Sequence, residues 1–353
     1  MLRPLLFLAL AATSARAQWI LTSPHNITDL EAGGGHAVSV GWNSGGIRSS
    51  PDGINWNLLA DQSARAVCFG DGYFWIVANS NELLRTNGTS APVPMSAGLF
   101  AADIAYGNGR LVIPRTFPAG IAYSTNGIDW TTALVPADVN DSEAHVAFLG
   151  NIFIVTSSPN LLTSADGAVW TIRASDIFSP PRSVAFGNGR FIAISRDGQK
   201  RWNSLDGITW TLIPGAVGHS VNALHFVNGS FLAVGSNGKI SASSDGSTWS
   251  PQSSGVTFTL EAITSLNGLA LSGGTQLIRA ATPAPQATLP INIRSAIELE
   301  FQAADSVLYR IEGSTDLSSW TPVETHIVGH GEPIKRFYST TGQPHRYFRA
   351  VTE

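Results

Sequence analysis

Five heptads of one pattern recur along this chain of 353 residues. They are Ser50-Pro-Asp-Gly-Ile-Asn-Trp56, Ser124-Thr-Asn-Gly-Ile-Asp-Trp130, Ser164-Ala-Asp-Gly-Ala-Val-Trp170, Ser204-Leu-Asp-Gly-Ile-Thr-Trp210 and Ser243-Ser-Asp-Gly-Ser-Thr-Trp249, which reduce to S-x-[DN]-G-x-x-W. The tryptophans are 74, 40, 40 and 39 residues apart, and 74 is twice 37. A sixth copy is therefore due near residue 90, where Arg85-Thr-Asn-Gly-Thr-Ser90 stands without its Trp. A fixed period of roughly 20–50 residues marks a fold built by stacking one supersecondary unit.

A second signature precedes the heptads: Val67-Cys-Phe-Gly-Asp-Gly, Ile104-Ala-Tyr-Gly-Asn-Gly, Val184-Ala-Phe-Gly-Asn-Gly and Leu224-His-Phe-Val-Asn-Gly. Ile263-Thr-Ser-Leu-Asn-Gly268 is a copy with no heptad after it, and Val146-Ala-Phe-Leu-Gly-Asn and Leu30-Glu-Ala-Gly-Gly-Gly are looser versions. Seven units result, starting near residues 27, 63, 97, 137, 176, 217 and 256. Each resolves into four strands, in the fifth unit 183–186, 190–195, 199–204 and 210–214. Asn-Gly or Asp-Gly between the first two supplies the positive φ of a two-residue hairpin. The heptad Asp accepts hydrogen bonds from turn amides, its Gly takes a backbone conformation closed to side chains, and its Trp opens the fourth strand. One such sheet cannot bury both faces alone, so seven must stack radially.

The heptads resemble the Asp box of the BNR-repeat β-propellers, the superfamily that contains sialidases and photosystem II assembly factors. The resemblance covers roughly residues 19–282, and the box here is one residue shorter than the usual S-x-D-x-G-x-x-W. The expected architecture is all-β, a seven-bladed β-propeller followed by a small C-terminal β-sandwich. Residues 18–282 form the propeller, 283–290 a Pro-rich linker and 291–353 the second module, with strands at 291–294, 297–302, 308–313, 323–328, 334–339 and 347–351. Tyr309-Arg-Ile-Glu-Gly-Ser-Thr-Asp-Leu-Ser-Ser-Trp320 and the Arg346-Tyr-Phe-Arg-Ala-Val ending resemble a C-terminal β-module of secreted verrucomicrobial and planctomycete proteins. Ser314, Asp316 and Trp320 copy the heptad spacing, with Leu317 in place of the Gly.

Residues 1–17 read as a secretory signal peptide: Arg3, an apolar run from Leu5 to Ala12, then Ala15-Arg16-Ala17. Export to the periplasm, the cell surface or the medium is expected. Trp19-Ile-Leu-Thr-Ser-Pro24 resembles Trp210-Thr-Leu-Ile-Pro214, whereas the seventh unit ends at its third strand. Residues 19–23 are therefore expected to supply the outer strand of the last blade and close the ring.

Charged residues make up 13% of the chain, against about 25% in ordinary proteins, and the formal net charge is −4. No basic field exists for a phosphate backbone, so nucleic acid is not an expected partner. One Cys excludes a disulfide scaffold and a Cys-cluster metal site. No dense His/Asp/Glu motif suggests a metal, no cofactor is implied, no membrane span is foreseen, and a monomer is expected.

The heptad residues Asp52, Trp56, Asn126, Trp130, Asp166, Trp170, Asp206, Trp210, Asp245 and Trp249 recur at equivalent turns, whereas a catalytic site occurs once. They are assigned structural roles. Functional residues should break the repeat, on the face that carries the connections 59–63, 93–100, 136–143, 173–181, 215–220 and 252–258. Aligning the innermost strands puts Cys68 level with Glu31 and His225, then Asp29, Asp103 and His145 one register further out, then Arg65, Arg182, Asn222 and Glu261 at the mouth. Arg65, Asp103, His145, Arg182 and Glu261 are candidates for gripping a polar ligand, with Arg115 as a further cation. Trp42, Phe100, Phe117 and Phe178 offer flat apolar platforms for sugar rings.

A sialidase needs convergent arginines and a Tyr nucleophile, but Tyr73, Tyr106 and Tyr123 sit beside the hairpin turns and heptads, on the opposite face, and the F-R-I-P motif is absent. A different glycosidase needs two carboxyls across the scissile bond, and the spacing of Asp103, Asp138, Asp141, Glu143 and Glu261 selects no pair. The leading expectation is a non-catalytic binding propeller for a glycan or a surface protein. The alternative is an extracellular glycoside hydrolase acting at the mouth of the channel.

Overall fold

The computed structural model describes residues 19–136, 139, 144–174, 181–280, 296–339 and 347–353. The expected signal peptide, the whole linker at 283–290, the strand at 291–294, Phe178, Asp138, Asp141 and Glu143 lie outside these. The chain divides into two compact units, Met1–Ala284 and Pro285–Glu353.

The first unit contains seven four-stranded antiparallel sheets, each formed by strands consecutive in sequence except the last. The inner strands are Asp29–Gly33, Ala64–Gly70, Ala105–Gly107, His145–Leu149, Pro181–Gly187, Val221–Val227 and Leu260–Leu266. Each touches the next, and the seventh returns to the first, so the sheets close into a ring. The seventh sheet takes its outer strand from the other end of the chain: Trp19–Ser23 pairs with Leu277–Ala280, Trp19 opposite Ala280. Trp19 is buried in a cluster with Val234, Ile240 and Ile278.

Apolar burial is divided among the sheet boundaries, where one cluster fills each of the seven. Val38 and Val40 meet Ile76 and Leu84 between sheets one and two, and Ile192 and Ile194 meet Leu224 and Phe231 between five and six. This wedge packing explains the second sequence signature. A Cβ on Gly107 would lie 2.1 Å from the Phe148 ring of the next sheet, and one on Gly187 would lie 2.1 Å from Phe226. The glycine ending one inner strand is the seat for the aromatic ring of its neighbour.

The heptads form one repeated turn. Ser204 Oγ donates to Asp206 Oδ1 (2.9 Å) and accepts from Gly207 N (2.8 Å), while Asp206 Oδ1 takes the amides of Ile208 and Thr209 (both 2.8 Å). The boxes at Asp52, Asn126, Asp166 and Asp245 repeat the pattern. The sixth copy keeps it with Thr86 and Asn87. The box glycines sit at φ near +70°. Trp170, Trp210 and Trp249 each donate Nε1 to the box glycine carbonyl (2.9–3.0 Å). The hairpin turns share this side of the ring, since Asn188 Nδ2 reaches Ser244 O and Arg190 reaches Asp245 O in the next box.

The second unit holds a two-stranded sheet, Ala296–Gln302 with Pro333–Ser339, and a three-stranded sheet ordered Thr321–Val328, Leu308–Ser314, Tyr347–Thr352. The Phe301 and Tyr309 rings (centroids 5.3 Å apart) and the Arg336–Glu324 ion pair (2.9 Å) join the two.

Candidate functional site

The inner strands surround an axial channel with two connected parts. The mouth is a cavity of about 760 Å³, touched by Trp42, Arg65, His145, Arg196, Asn222 and Glu261 together with Asn26, Asn43 and Asn79. Below it lies a chamber of about 380 Å³ lined by Asp29, Glu31, Cys68, Asp103, His145 and His225. Thr28, Arg65, Ala102, His145, Asn222 and Glu261 line both, so one passage runs through them.

Backbone irregularity aims the mouth residues. Ala64 pairs with Ala78 and Ala66 with Val77, leaving Arg65 as the extra residue of a bulge. Asn222 is extra between Val221 and Ala223, and Glu261 between Leu260 and Ala262, at the same place in sheets six and seven. A bulge turns a side chain out of the alternation of its strand. Here it turns three polar side chains from the packed sheet boundaries to the channel.

Trp42 reaches the rim by a different device. It leads into a 3-10 turn, Asn43–Gly45, between glycines 41 and 45. A Cβ at either would lie within 2.4 Å of the Asn26 carbonyl oxygen. The loop therefore presses onto the chain at Asn26, and Trp42 stays 54% exposed.

The chamber acids tie neighbouring sheets together. Asp29 accepts the amides of Leu30 and Val67 (both 2.8 Å), and Asp103 those of Ile104 (2.8 Å) and Val146 (3.0 Å). His145 Nδ1 lies 3.2 Å from Asp103 Oδ2. Among the described residues, Glu31 Oε1 accepts only the amide of Ala32 (3.1 Å). Desolvation, then the nearby Asp103 charge, raises the Asp29 pKa to about 7. Desolvation, then Asp29, raises Glu31 to about 8. Burial pushes the Cys68 thiol up and lowers His225 to about 4. Among the described residues, no group of three His, Cys, Asp or Glu side chains is placed to hold a metal ion. No helix among them is long and apolar enough to cross a membrane.

Of the sequence candidates, the structure gathers Trp42, Arg65, Asp103, His145 and Glu261 along this passage. The Arg65 guanidinium is already engaged by Ala101 O (3.3 Å), Asn79 O (3.2 Å) and Asn81 Oδ1 (3.3 Å). The backbone of Arg182 lies in the fifth inner strand. Phe100, Phe117 and Arg115 line neither cavity. Phe100 and Phe117 instead pair edge to face, with centroids 5.9 Å apart. Arg115 donates to Thr132 Oγ1 (3.0 Å), within its own sheet. The sequence candidates omitted Glu31 and the asparagines at 26, 43 and 79. The signal for Glu31 was its register, where the repeat otherwise places mostly small residues.

No protein-family model matches the chain, and no curated protein matches it. Solved structures do, and they show a β-propeller. The structure described as YCF48 bound to D1 peptide superposes with a TM-score of 0.59 at 19% identity, over 75% of this chain and 96% of that one. Virginiamycin B lyase from Staphylococcus aureus gives 0.63 at 12%, over 76% and 99%. The WD40 β-propeller domain of Doa1 gives 0.59 at 14%, over 76% and 97%.

Proposed function

We propose that the chain is an exported, non-catalytic binding protein of the Asp-box type that takes a glycan at the mouth of its propeller channel. The carrying observation is Trp42, an exposed indole on the rim of a cavity whose wall also carries asparagines, threonines and a few charged side chains. An aromatic face beside amide and hydroxyl groups suits a sugar ring, which presents C–H bonds on one side and hydroxyls around its edge. The heptad carboxylates are consumed by turn amides and take no part. The C-terminal module, similar to those of secreted bacterial proteins, is a second exported domain in this reading. A glycan array probed with the full chain tests the proposal. Binding should appear for at least one polysaccharide class and be lost in Trp42→Ala; binding retained in that variant rejects the mouth.

One observation favours a hydrolase as the second reading. Asp29 and Glu31 hold protons near neutral pH, as a general acid must. Virginiamycin B lyase, alike in fold, is by its name an enzyme. Hydrolysis of a glycan panel, abolished by Asp29→Asn or Glu31→Gln, would replace binding with catalysis.

A further inference from the structure

We propose that the channel selects a glycan carrying a free primary amine, with the sugar ring in the mouth beside Trp42 and the ammonium group directed down the axis toward Asp29, Glu31 and Asp103. This deepens the glycan reading and rests on it.

The argument starts from the division of charge along one passage. Arg65 and Arg196 stand at the mouth with Glu261, while the chamber beneath adds three carboxyls and, among the described residues, no cation apart from Arg65 and the histidines. Arg65 directs three hydrogen bonds to two carbonyls and the Asn81 side chain, and none to the acids below. A neutral sugar would use the mouth and leave the chamber's acceptors unanswered.

Acceptor accounting points to a donor with positive charge. Both Asp29 oxygens and both Asp103 oxygens already take backbone amides. Glu31 differs: Oε1 has a single local amide, and Oε2 accepts no hydrogen bond among the described residues although Glu31 lines the chamber. Oε2 is thus open to the chamber, and a charged donor gives a carboxylate a stronger hydrogen bond than a neutral one. The acids are not gathered into a three-ligand metal group. A substituent with several N–H donors reaches acceptors spread around the wall better than a bare ion does. The chamber, about 380 Å³, is half the volume of the mouth, about 760 Å³, and this assignment puts the ring in the mouth and its substituent in the chamber.

Proton linkage supports the same assignment. Glu31, near pKa 8, stands near Asp29 of its own strand, Cys68 of the second inner strand and Asp103, which precedes the third, and His145 stands beside Asp103. An arriving ammonium restores the carboxylate form, and the displaced proton leaves to solvent.

Isothermal titration of the full chain near pH 6 with β-1,4-linked hexamers of glucosamine, N-acetylglucosamine and glucose separates the possibilities. The glucosamine hexamer should bind about tenfold tighter than the other two, the scale of one charged hydrogen bond. Titrations in buffers of different ionisation enthalpy should show net proton release on binding that hexamer only. Glu31→Gln should bring the affinity ratio toward one. Equal affinity of the three hexamers, or no proton release, overturns the amine preference and leaves the glycan reading standing. Failure of all three to bind overturns both. The wild-type titrations decide the matter even if the variant does not fold.

Discussion

The Asp29 carboxylate accepts the amide of Val67 at 2.8 Å, carrying one sheet's inner strand onto the next. Folding raises this acid to about 7 and Glu31 to about 8, chiefly by desolvation. The folded chain thus keeps protons that the unfolded chain has released, and stability must fall as pH rises through both values. His25 and His225, held near 4 by burial, act in the opposite sense below their ordinary 6.5. The acids are therefore read most cleanly above that value. Urea midpoints should decline between about pH 6.5 and 8.5, and the slope should be shallower in Glu31→Gln. A midpoint that rises over this range contradicts the burial of these groups.

Gly187 and Gly189 lie two residues apart and serve different purposes. A Cβ on Gly187 meets the Phe226 ring at 2.1 Å, whereas Gly189, at φ +71°, has nothing within 4 Å of that position. Gly189→Ala should cost about 1 kcal/mol, the conformational penalty alone. Gly187→Ala should cost about 2–3 kcal/mol through overpacking. Adding Phe226→Ser to Gly187→Ala should recover part of that loss, which a double-mutant cycle in urea would measure. Additive losses would show that the ring does not depend on its seat.

The repeat was legible because its residues act locally. Ser204, Asp206 and Gly207 satisfy one another within a single turn, so their spacing alone predicts the turn. The pairing of glycine with aromatic acts between sheets and shows only when units are compared in order. Val227 stands where sheet six would have the glycine, and the next sheet correspondingly has Ser265 where the ring would be. The site was harder to read. Register arithmetic found Asp103, His145 and Glu261, because inner strands repeat at a fixed spacing. It could not find the Trp42 loop against Asn26, which depends on two glycines meeting a carbonyl 15 residues or more away in sequence. Nor could it separate Phe117, 69% exposed on a hairpin, from residues that face the axis.

Closure of the ring depends on five residues at the start of the described chain. Trp19 is 8% exposed, packed between sheets six and seven. Trp19→Ala should lower stability by about 3 kcal/mol, as large-to-small changes of a buried aromatic do. Removing residues 19–23 should lower it further, because Leu277–Ala280 then becomes an unpaired edge. Thermal melting of the two variants beside the parent checks the order. Equal melting temperatures for all three would mean that the ring holds without this strand.

Leu317 occupies the glycine position of a heptad-like turn in the second unit. Ser314 Oγ accepts its amide at 2.8 Å, and Asp316 Oδ1 takes Ser318 N and Ser319 N at the same distance. The hydrogen bonds match those of the propeller boxes, yet here a leucine is held at φ +64°. Its side chain is 57% exposed, so little packing offsets the strain. Relief of roughly 1–2 kcal/mol in the backbone, less roughly 0.5–1 kcal/mol for the greater freedom of unfolded glycine, favours Leu317→Gly by about 0.5–1 kcal/mol. Hydrogen exchange across residues 314–320 should slow by a few-fold in that variant, since local opening of the turn becomes costlier. Faster exchange would mean that the leucine side chain stabilises the turn more than its backbone strains it.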